Sequence, residues 1–566
     1  MRIKGSYSRL DDIDRLRQSN KATIKHELSI NSQSLPQSIF SVNNSPSKHQ
    51  FSYALEKLLP YESYSFCDHH NHNGITKTKN ELVQFQKVLV DITRKVLINK
   101  NIPDNSLKEI SSKLDNLSNE KNRCLHPDEI NNTRQLQSEL IYFIYSEMKS
   151  YDKKISLNDV RELFNRASKE HYNNKEWKVI EKEITYNHDK YLSILTPASQ
   201  MKYSSDGKDI FYTNHYNEKG VSSKSGDETK HAVNLWISDF QNKDNKTLFK
   251  GIRHGVISPF MLPKDSHERK EGAINRAKEV ALAALFSQPD LYQKALNNEV
   301  VTLRMSSTSL LTYMLDEISM LKDQASAWEQ LNANNILTLN VPNQQGEIQE
   351  IRIKLDVAIL NFGVNELAFS VPNYFNGSSK TKTLNNDGLS KILGENYLKN
   401  NEIGGWVNEY LSNNPNANNH NKVRSLCQQI KEIWNKKLYK KDGNEPYKMA
   451  QRIAMLTYEI GAVPCWNCKS GKDRTGVLDA EVKREVISYD QNHRLNEVGH
   501  KLTREEQSLF QNVLLNSGNL EVQQYNTGVV GSKVAKDMPK LLALSYKERI
   551  GNEFVRQQVQ GLSSLV

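Results

Sequence analysis

Long hydrophobic runs and cysteines are both scarce in this sequence of 566 residues. No stretch of about 18 consecutive apolar residues occurs, so no transmembrane helix is predicted. The residues after Met1 are polar and contain no apolar signal core, which argues against export through a cleaved signal peptide. The five cysteines are few and odd in number for so long a chain. They predict a reducing compartment and argue against a disulfide scaffold.

Signature motifs of nucleic-acid-binding proteins are also missing, although the net charge is +10. A positive net charge without such motifs favours phosphorylated small molecules or acidic lipid headgroups as partners. We expect no binding to nucleic acid. Cys67 stands close to three histidines, His69, His70 and His72, but the four residues lack the spacing of ligands on a helix or hairpin. We therefore expect no metal site and no cofactor.

The most informative stretch is residues 467–476, which read NCKSGKDRTG. Cys468 is followed after five residues by Arg474 and then by Thr475, the layout of a cysteine-dependent phosphatase loop. A thiolate nucleophile needs a pKa well below about 8.5, and the N–H groups of a tight loop and helix start lower it. We predict that Cys468 attacks phosphorus and that Arg474 binds two phosphoryl oxygens. Gly471 lets the backbone approach the anion, and Thr475 donates a hydrogen bond to the sulfur.

The flanking sequence predicts the strand–loop–helix context that such a loop requires. Apolar residues spaced by three and four between Met449 and Ile460 indicate a helix, and Gly461 fits its C-terminal end. Residues 463–467 then read as a short buried strand. After the loop, three apolar residues mark the inner face of a second helix: Leu478, Val482 and Val486.

The remaining loop residues are candidates for substrate binding and proton transfer. Lys469 and Lys472 would contact extra phosphates of a multiply phosphorylated substrate, and Ser470 lies between them. Asp473 has two readings that stay open: it protonates the leaving oxygen as a general acid, or it holds the loop by accepting N–H bonds. The alternative that Cys465 and Cys468 form a CxxC redox or zinc motif lacks a second CxxC and leaves Arg474 without a role.

With Asp479-Ala480-Glu481 just beyond it, CKSGKDRTG closely resembles the SopB/IpgD/SigD family of inositol phosphate phosphatases, bacterial effectors delivered into host cells by type III secretion. Residues 361–368 resemble a second family stretch, which is shared more loosely with inositol polyphosphate 4-phosphatases. The likeness runs from about residue 195 to the C-terminus and extends faintly into the preceding helices. Val477 and Leu478 depart from the family pattern, in which Met and Gln are expected.

The resemblance implies a metal-independent phosphoinositide or inositol polyphosphate phosphatase that forms a phosphocysteine and removes the 4-phosphate of phosphatidylinositol 4,5-bisphosphate. It implies localisation at the cytoplasm and membrane surface of the host cell, a type III secretion chaperone, and a Rho-family GTPase bound by the helical region. It also assigns a needed lysine, best matched by Lys536, with Lys533 nearby. Asn365 follows a predicted strand at residues 351–360, where a polar turn can reach an active site and position substrate. A turn with a purely structural role is the alternative that stays open.

The expected architecture is an N-terminal all-α helical bundle followed by a large α/β cysteine-phosphatase domain (class α+β or α/β). Residues 1–50 are predicted to be disordered, residues 51–185 helical, and residues 186–566 catalytic. Residues 385–386 and 413–421 are expected to be polar loops.

Three other functions compete: a phosphoinositide phosphotransferase, a host GTPase-binding module with secondary phosphatase activity, and a protein tyrosine phosphatase. Arg253 and His254 also resemble the RHG motif of histidine phosphatases. Because Cys468 already supplies a nucleophile, we interpret that motif as coincidence or scaffold.

Overall fold

One eight-stranded sheet organises the described part of the chain. The computed structural model describes residues 78–125, 127–203, 207–212, 215–312, 315–334, 336–343, 345–364, 379–395, 402–440, 447–535 and 546–566. Among these residues, no helix combines the length and apolar character needed to cross a bilayer.

The strands and helices are numbered here in chain order. The strands are β1 (Ile180–Tyr186), β2 (Asp189–Pro197), β3 (Trp236–Asn242), β4 (Thr247–Gly255), β5 (Val301–Ser309), β6 (Leu337–Pro342), β7 (Ile348–Asn361) and β8 (Val463–Cys468). The helices are α1 (Lys79–Ile98), α2 (Asn105–Ser118), α3 (Pro127–Tyr151), α4 (Leu157–Asn173), α5 (His267–Phe286), α6 (Pro289–Leu296), α7 (Leu315–Ala333), α8 (Ser379–Leu393), α9 (Gly405–Asn413), α10 (His420–Asn435), α11 (Lys448–Glu459), α12 (Asp473–Asn492), α13 (Arg504–Asn516), α14 (Asn519–Thr527), α15 (Tyr546–Ile550) and α16 (Glu553–Gln560).

Helices α1 to α4 precede the sheet, and α1 contacts the other three. Helix α1 starts with a capping box between Thr78 and Glu81. It buries an apolar stripe, which consists of Leu82, Phe85, Leu89, Ile92 and Val96. Beyond α4, Trp177 is fully buried and stacks on Trp236 of β3, with ring centroids 5.2 Å apart. The expected boundary between residues 185 and 186 lies inside strand β1.

The strand order is β1-β2-β3-β4-β8-β5-β7-β6. Strands β4, β8, β5 and β7 run parallel to one another, whereas β1 to β4 pair antiparallel and β6 is an antiparallel edge strand. Strand β8, which comes last along the chain, therefore lies in the parallel centre. This arrangement confirms the mixed α/β class and the strand predicted before Cys468.

Helical layers cover both faces of the parallel centre, so its strands are buried on both sides. Alternate residues of a strand face opposite layers. In β8, Val463 and Cys465 join the core cluster that includes α5 to α7, whereas Trp466 and Cys468 join the cluster that includes α8 to α13. The two thiols of the CxxC sequence thus point to opposite faces of the sheet, and both are free.

The two expected polar loops have different outcomes. Residues 385–386 lie inside helix α8 and not in a loop. The Asn385 side chain accepts a hydrogen bond from Asn361 N at 2.7 Å and donates one to Asn361 O at 2.9 Å, so it replaces strand pairing at the end of β7. Residues 414–419, in contrast, do connect helices α9 and α10.

Helix α12 was predicted to bury one apolar face, yet it is buried all round between Thr475 and Ser488. Its charged residues are tolerated because they are paired. Lys483 binds Asp479 at 2.6 Å, and Arg452 from helix α11 binds Glu485 at 2.9 Å. A sequence pattern cannot reveal that these charged residues are buried, because it does not distinguish a charge paired inside the protein from a charge exposed to water.

Candidate active site

Cys468 lies at the carboxyl end of the central strand, where four parallel strands end together. Gly255 of β4 pairs with Cys468, and Ser309 of β5 pairs with both Asn467 and Asn361. The carboxyl ends of parallel strands are the common location of ligand sites in open α/β sheets. The fold therefore positions the predicted loop where a ligand can reach it.

The loop after Cys468 is fixed through its carbonyl groups. The carbonyl oxygens of residues 469, 470 and 471 accept hydrogen bonds, in that order, from Val256 N at 3.2 Å, Asn234 Nδ2 at 3.1 Å and the Arg253 guanidinium at 3.2 Å. Gly471 N donates to Cys468 O at 3.3 Å. Because the carbonyls are held by the surrounding protein, the other N–H groups of the loop are left for an anion.

Gly471 is required by both conformation and space. Its φ is +65°, which an ordinary side chain rarely adopts. An added Cβ would come within 2.6 Å of the backbone of His254 and Gly255. The loop thus packs directly on the end of strand β4, and the approach of its backbone to an anion stays a prediction.

Cys468 is almost fully buried, and its surroundings favour the thiolate. Burial alone would raise the pKa of this thiol, but the charge of Arg474 and hydrogen bonds from the side chain and backbone N–H of Thr475 hold it below its ordinary value. Ser470 Oγ lies 3.9 Å from the sulfur. Among the described residues, the buried Thr475 hydroxyl has no nitrogen or oxygen partner, so it is available to the sulfur.

A residue that sequence reasoning missed, Glu317 of helix α7, orients Arg474. Its two carboxylate oxygens accept hydrogen bonds from Arg474 at 3.0 and 2.5 Å, and Leu310 O accepts another at 2.8 Å. Thr312 in turn donates from both its N–H and its hydroxyl to Glu317, each at 2.6 Å. Burial would raise the pKa of Glu317, but its bonds to Arg474 and Thr312 lower it. No sequence motif marks this glutamate.

Asp473 is the first residue of helix α12, and one of its two carboxylate oxygens accepts hydrogen bonds. Its Oδ1 accepts hydrogen bonds from Lys533 N at 2.7 Å and from Gln523 Nε2 at 3.4 Å. These contacts match the scaffold reading. Oδ2 has no hydrogen-bond partner among the described residues. It is therefore available to carry the proton that a general acid would donate.

Four lysines surround the loop, and two of them come from other segments. Lys472 is buried in the loop. The positive charges of Lys472 and Lys533 repel that of Lys224. Burial and these two charges lower the pKa of Lys224 to about 8. Lys469 Nζ lies 4.8 Å from the centre of the Phe260 ring. No described carboxylate forms an ion pair with any of the four, so their charge is available to a ligand. Sequence reasoning had missed Lys224.

The RHG stretch has a structural contact with the loop. Arg253 binds Gly471 O and Asn519 Oδ1. Asn519 also donates to Asp479 at 2.8 Å. His254 donates from Nδ1 to Gly255 O at 2.7 Å, and burial lowers its pKa to about 4. This geometry agrees with the interpretation of the RHG stretch as a scaffold, because Arg253 supports the loop after Cys468.

Two predicted site residues, Asn365 and Lys536, lie outside the described residues. The Cys67 and histidine cluster lies outside them as well. Within the described ranges, no group of three or more His, Cys, Asp or Glu side chains is placed to hold a metal ion.

Comparison with known proteins gives one family match and several relatives. The family model for the enterobacterial virulence protein IpgD matches residues 150–566. The inositol phosphate phosphatase SopB of Salmonella bongori is 47% identical over 71% of this chain and 97% of its own length. The inositol phosphate phosphatase IpgD of Shigella flexneri is 45% identical over 70% of this chain and 73% of its own.

Solved structures with a similar fold include Legionella phosphoinositide phosphatases. One has a TM-score of 0.60 at 10% identity, covering 86% of this chain and 75% of that protein. Another, SidF, has a TM-score of 0.52 at 9% identity, covering 86% and 90%. At such low identity the likeness concerns the fold alone.

The lowered pKa of Cys468 predicts an unusual pH profile of alkylation. Reaction with iodoacetamide should stay fast below the ordinary thiol range of about pH 8.5 and be lost only as the pH falls through the lowered pKa. Mass spectrometry of the labelled protein at several pH values measures this, with Cys427 and Cys465 as internal controls. Burial raises the pKa of both controls, so they should stay unlabelled. Ordinary thiol behaviour at Cys468 would contradict the site.

The Glu317–Arg474 contact predicts that Glu317→Asp weakens oxyanion binding about tenfold, because the shorter side chain keeps the charge but cannot hold the guanidinium. Glu317→Gln keeps the length and one acceptor oxygen and should lose less. Calorimetric titration with tungstate measures both affinities. Tighter binding by Glu317→Gln than by the natural protein would show that Glu317 competes with the anion and does not orient Arg474.

Proposed function

Because the chain belongs to the IpgD family of enterobacterial virulence proteins, we propose that it is a cysteine-dependent phosphatase of phosphoinositides and inositol polyphosphates, which acts as a secreted effector inside host cells. The observation that carries this proposal is the joint placement of the Cys468 thiolate, the anchored loop and the oriented Arg474. The names of the relatives, inositol phosphate phosphatases, support the substrate class.

The proposed reaction has two steps, and the protein's own residues perform both. The Cys468 thiolate attacks phosphorus while Arg474 and the loop N–H groups bind the phosphoryl oxygens. An S–P bond forms and the P–O bond to the inositol breaks. The leaving oxygen takes a proton, and we assign Asp473 Oδ2 as the donor of that proton. Water then attacks the phosphocysteine and passes a proton back to Asp473 Oδ2, and the S–P bond breaks to release inorganic phosphate and the thiolate.

The four lysines around the loop support a substrate with several phosphates. Arg474 is already committed to the reacting phosphate, so Lys224 and Lys472 supply charge that a singly phosphorylated substrate does not need. This argument favours an inositol polyphosphate or phosphoinositide over phosphotyrosine. Removal of the 4-phosphate from phosphatidylinositol 4,5-bisphosphate rests on the family resemblance. Transfer of the phosphate to another inositol hydroxyl is a variant that would use the same phosphocysteine.

The lysines generate a test of substrate class. Lys224→Met and Lys472→Met should each lower kcat/KM for a phosphoinositide headgroup about ten- to a hundredfold, because a charge-assisted contact contributes about 1.5–3 kcal/mol. Turnover of p-nitrophenyl phosphate should change far less. The matched control is Lys230→Met, an exposed lysine of the same segment.

Cys468→Ser should abolish turnover of both substrates while the protein stays folded. Residual turnover by purified Cys468→Ser protein would refute the cysteine mechanism. Equal losses on both substrates in the lysine variants would mean that the lysines only shape the loop.

Leaving-group dependence separates the two roles of Asp473. As a general acid it is needed for a poor leaving group such as inositol, but hardly for p-nitrophenolate, which leaves without a proton. Asp473→Asn should therefore lower kcat for the inositol substrate about a hundred- to ten-thousandfold and spare the aryl phosphate. Steady-state rates of both substrates measure this. A similar fall for both would assign Asp473 to holding the Lys533 backbone.

The finer expectations about partners stay predictions. No contact in the described ranges bears on the Rho-family GTPase or the type III secretion chaperone. The same holds for the exact localisation in the host and for the roles of Asn365 and Lys536.

A further inference from the structure

An exposed apolar turn at residues 259–263 lies beside the active site. It connects the end of strand β4 to helix α5 and has a proline at each end. Met261, at its centre, is 64% exposed, which is unusual for so large an apolar side chain. Phe260 and Leu262 on either side are partly buried. A single exposed apolar residue needs no explanation, so the inference depends on how this turn is built and where it lies.

The turn is held in a fixed shape by hydrogen bonds of its own backbone. Met261 N donates to Gly226 O at 3.1 Å, and Leu262 N donates to Pro259 O at 3.0 Å. The buried Arg269 donates to Leu262 O at 3.1 Å and to Phe260 O at 3.4 Å. Arg269 is itself fixed by Asp323 at 2.7 Å. The turn therefore exposes Met261 while two of its N–H groups, from Met261 and Leu262, and three of its carbonyl groups, from residues 259, 260 and 262, are hydrogen-bonded, as a low-dielectric environment favours.

The turn contacts the same segments that carry the lysines of the active site. Met261 Cγ and Sδ pack so closely on Gly226 that a Cβ added there would lie 2.7 Å from them. Gly226 is two residues from Lys224. Phe260 lies under Lys469, at 4.8 Å from ring centre to Nζ. The apolar turn thus lies against the segments that carry two lysines of the site, Lys224 and Lys469.

The charges of this surface favour an anionic partner. Of the acidic residues beside the turn, Asp227 is paired with Lys169 at 2.8 Å, and Glu228 accepts hydrogen bonds from the N–H groups of residues 230 and 231. Asp265 and Glu268 are exposed. The lysines around the loop have no paired carboxylate among the described residues. Apolar tips flanked by lysines bind the headgroup–acyl boundary of anionic bilayers, because burial of the tip and attraction to the lipid charges act together.

We propose that the turn at residues 259–263 is a membrane-contact element, in which Met261 enters the headgroup–acyl boundary of an anionic bilayer. Docked in this way, the active site receives a phosphoinositide headgroup without extraction of the lipid. This inference rests on the proposed function, and it selects a membrane lipid over a free inositol phosphate as the substrate that the surface is built for.

The test compares a polar and an apolar replacement of Met261. Met261→Gln keeps the size of the side chain but removes its apolar character, whereas Met261→Leu keeps the apolar character. The matched control is Ile348→Gln, because Ile348 is 51% exposed and lies at the opposite end of strand β7 from Asn361. Two readouts are measured: turnover of phosphatidylinositol 4,5-bisphosphate in phosphatidylserine-containing vesicles, and turnover of its water-soluble headgroup.

We expect Met261→Gln to lower turnover on vesicles about tenfold and to leave turnover of the soluble headgroup unchanged. Met261→Leu and Ile348→Gln should match the natural protein on both. Co-sedimentation with vesicles, performed in the Cys468→Ser background so that the lipid is not consumed, should show the same order of binding.

Vesicle binding by Met261→Gln equal to that of the natural protein overturns the proposal. An equal loss of turnover on vesicles and on the soluble headgroup also overturns the proposal, because Met261 would then only shape the loop after Cys468. If the natural protein hydrolyses neither substrate, the proposed function fails. The sedimentation comparison alone then decides whether residues 259–263 contact the membrane.

Discussion

The site depends above all on the outward anchoring of the loop carbonyls. Without that anchoring, a loop containing glycine and lysine would sample many conformations, and ordering it around an anion would cost conformational entropy at each binding event. Val256, Asn234 and Arg253 fix the carbonyl groups before any ligand arrives. The positive potential that favours a thiolate, to which Arg474 and the Thr475 N–H contribute, then exists in the free protein.

The same anchoring explains why so much charge lies beneath the active site. Arg253 is fully buried, and Asn519 and Asp479 support it. Asp479 belongs to helix α12, which begins in the loop and buries its charged residues in pairs. Buried ion pairs gain little net stability because desolvation offsets their attraction. Their directed geometry fixes the orientation of α12, and hence of Thr475 and Arg474 at its start.

The cations of the site fall into two groups with different surroundings. Arg474 is paired with Glu317, which fixes its orientation, as bidentate binding of a phosphoryl group requires. Lys224 and Lys472 have no such partner among the described residues, and a positive field without fixed orientation suits attraction of flexible, polyanionic ligands. The apolar turn with Met261 borders this second group, so the surface combines charge and apolar contact at the opening of the site.

The sequence by itself determined the features that are local along the chain. The spacing of Cys468, Gly471 and Arg474 predicted the loop, because all its members lie within ten residues and the covalent chain fixes their separation. Apolar periodicity predicted the helix before β8 for the same reason. Only the tertiary structure decided which distant residues support the loop. Glu317 lies 157 residues from Arg474 along the chain, and Arg253 lies 218 residues from Gly471. Such contacts arise from the order of strands in the sheet, which places β8 between β4 and β5, and no local pattern encodes that order.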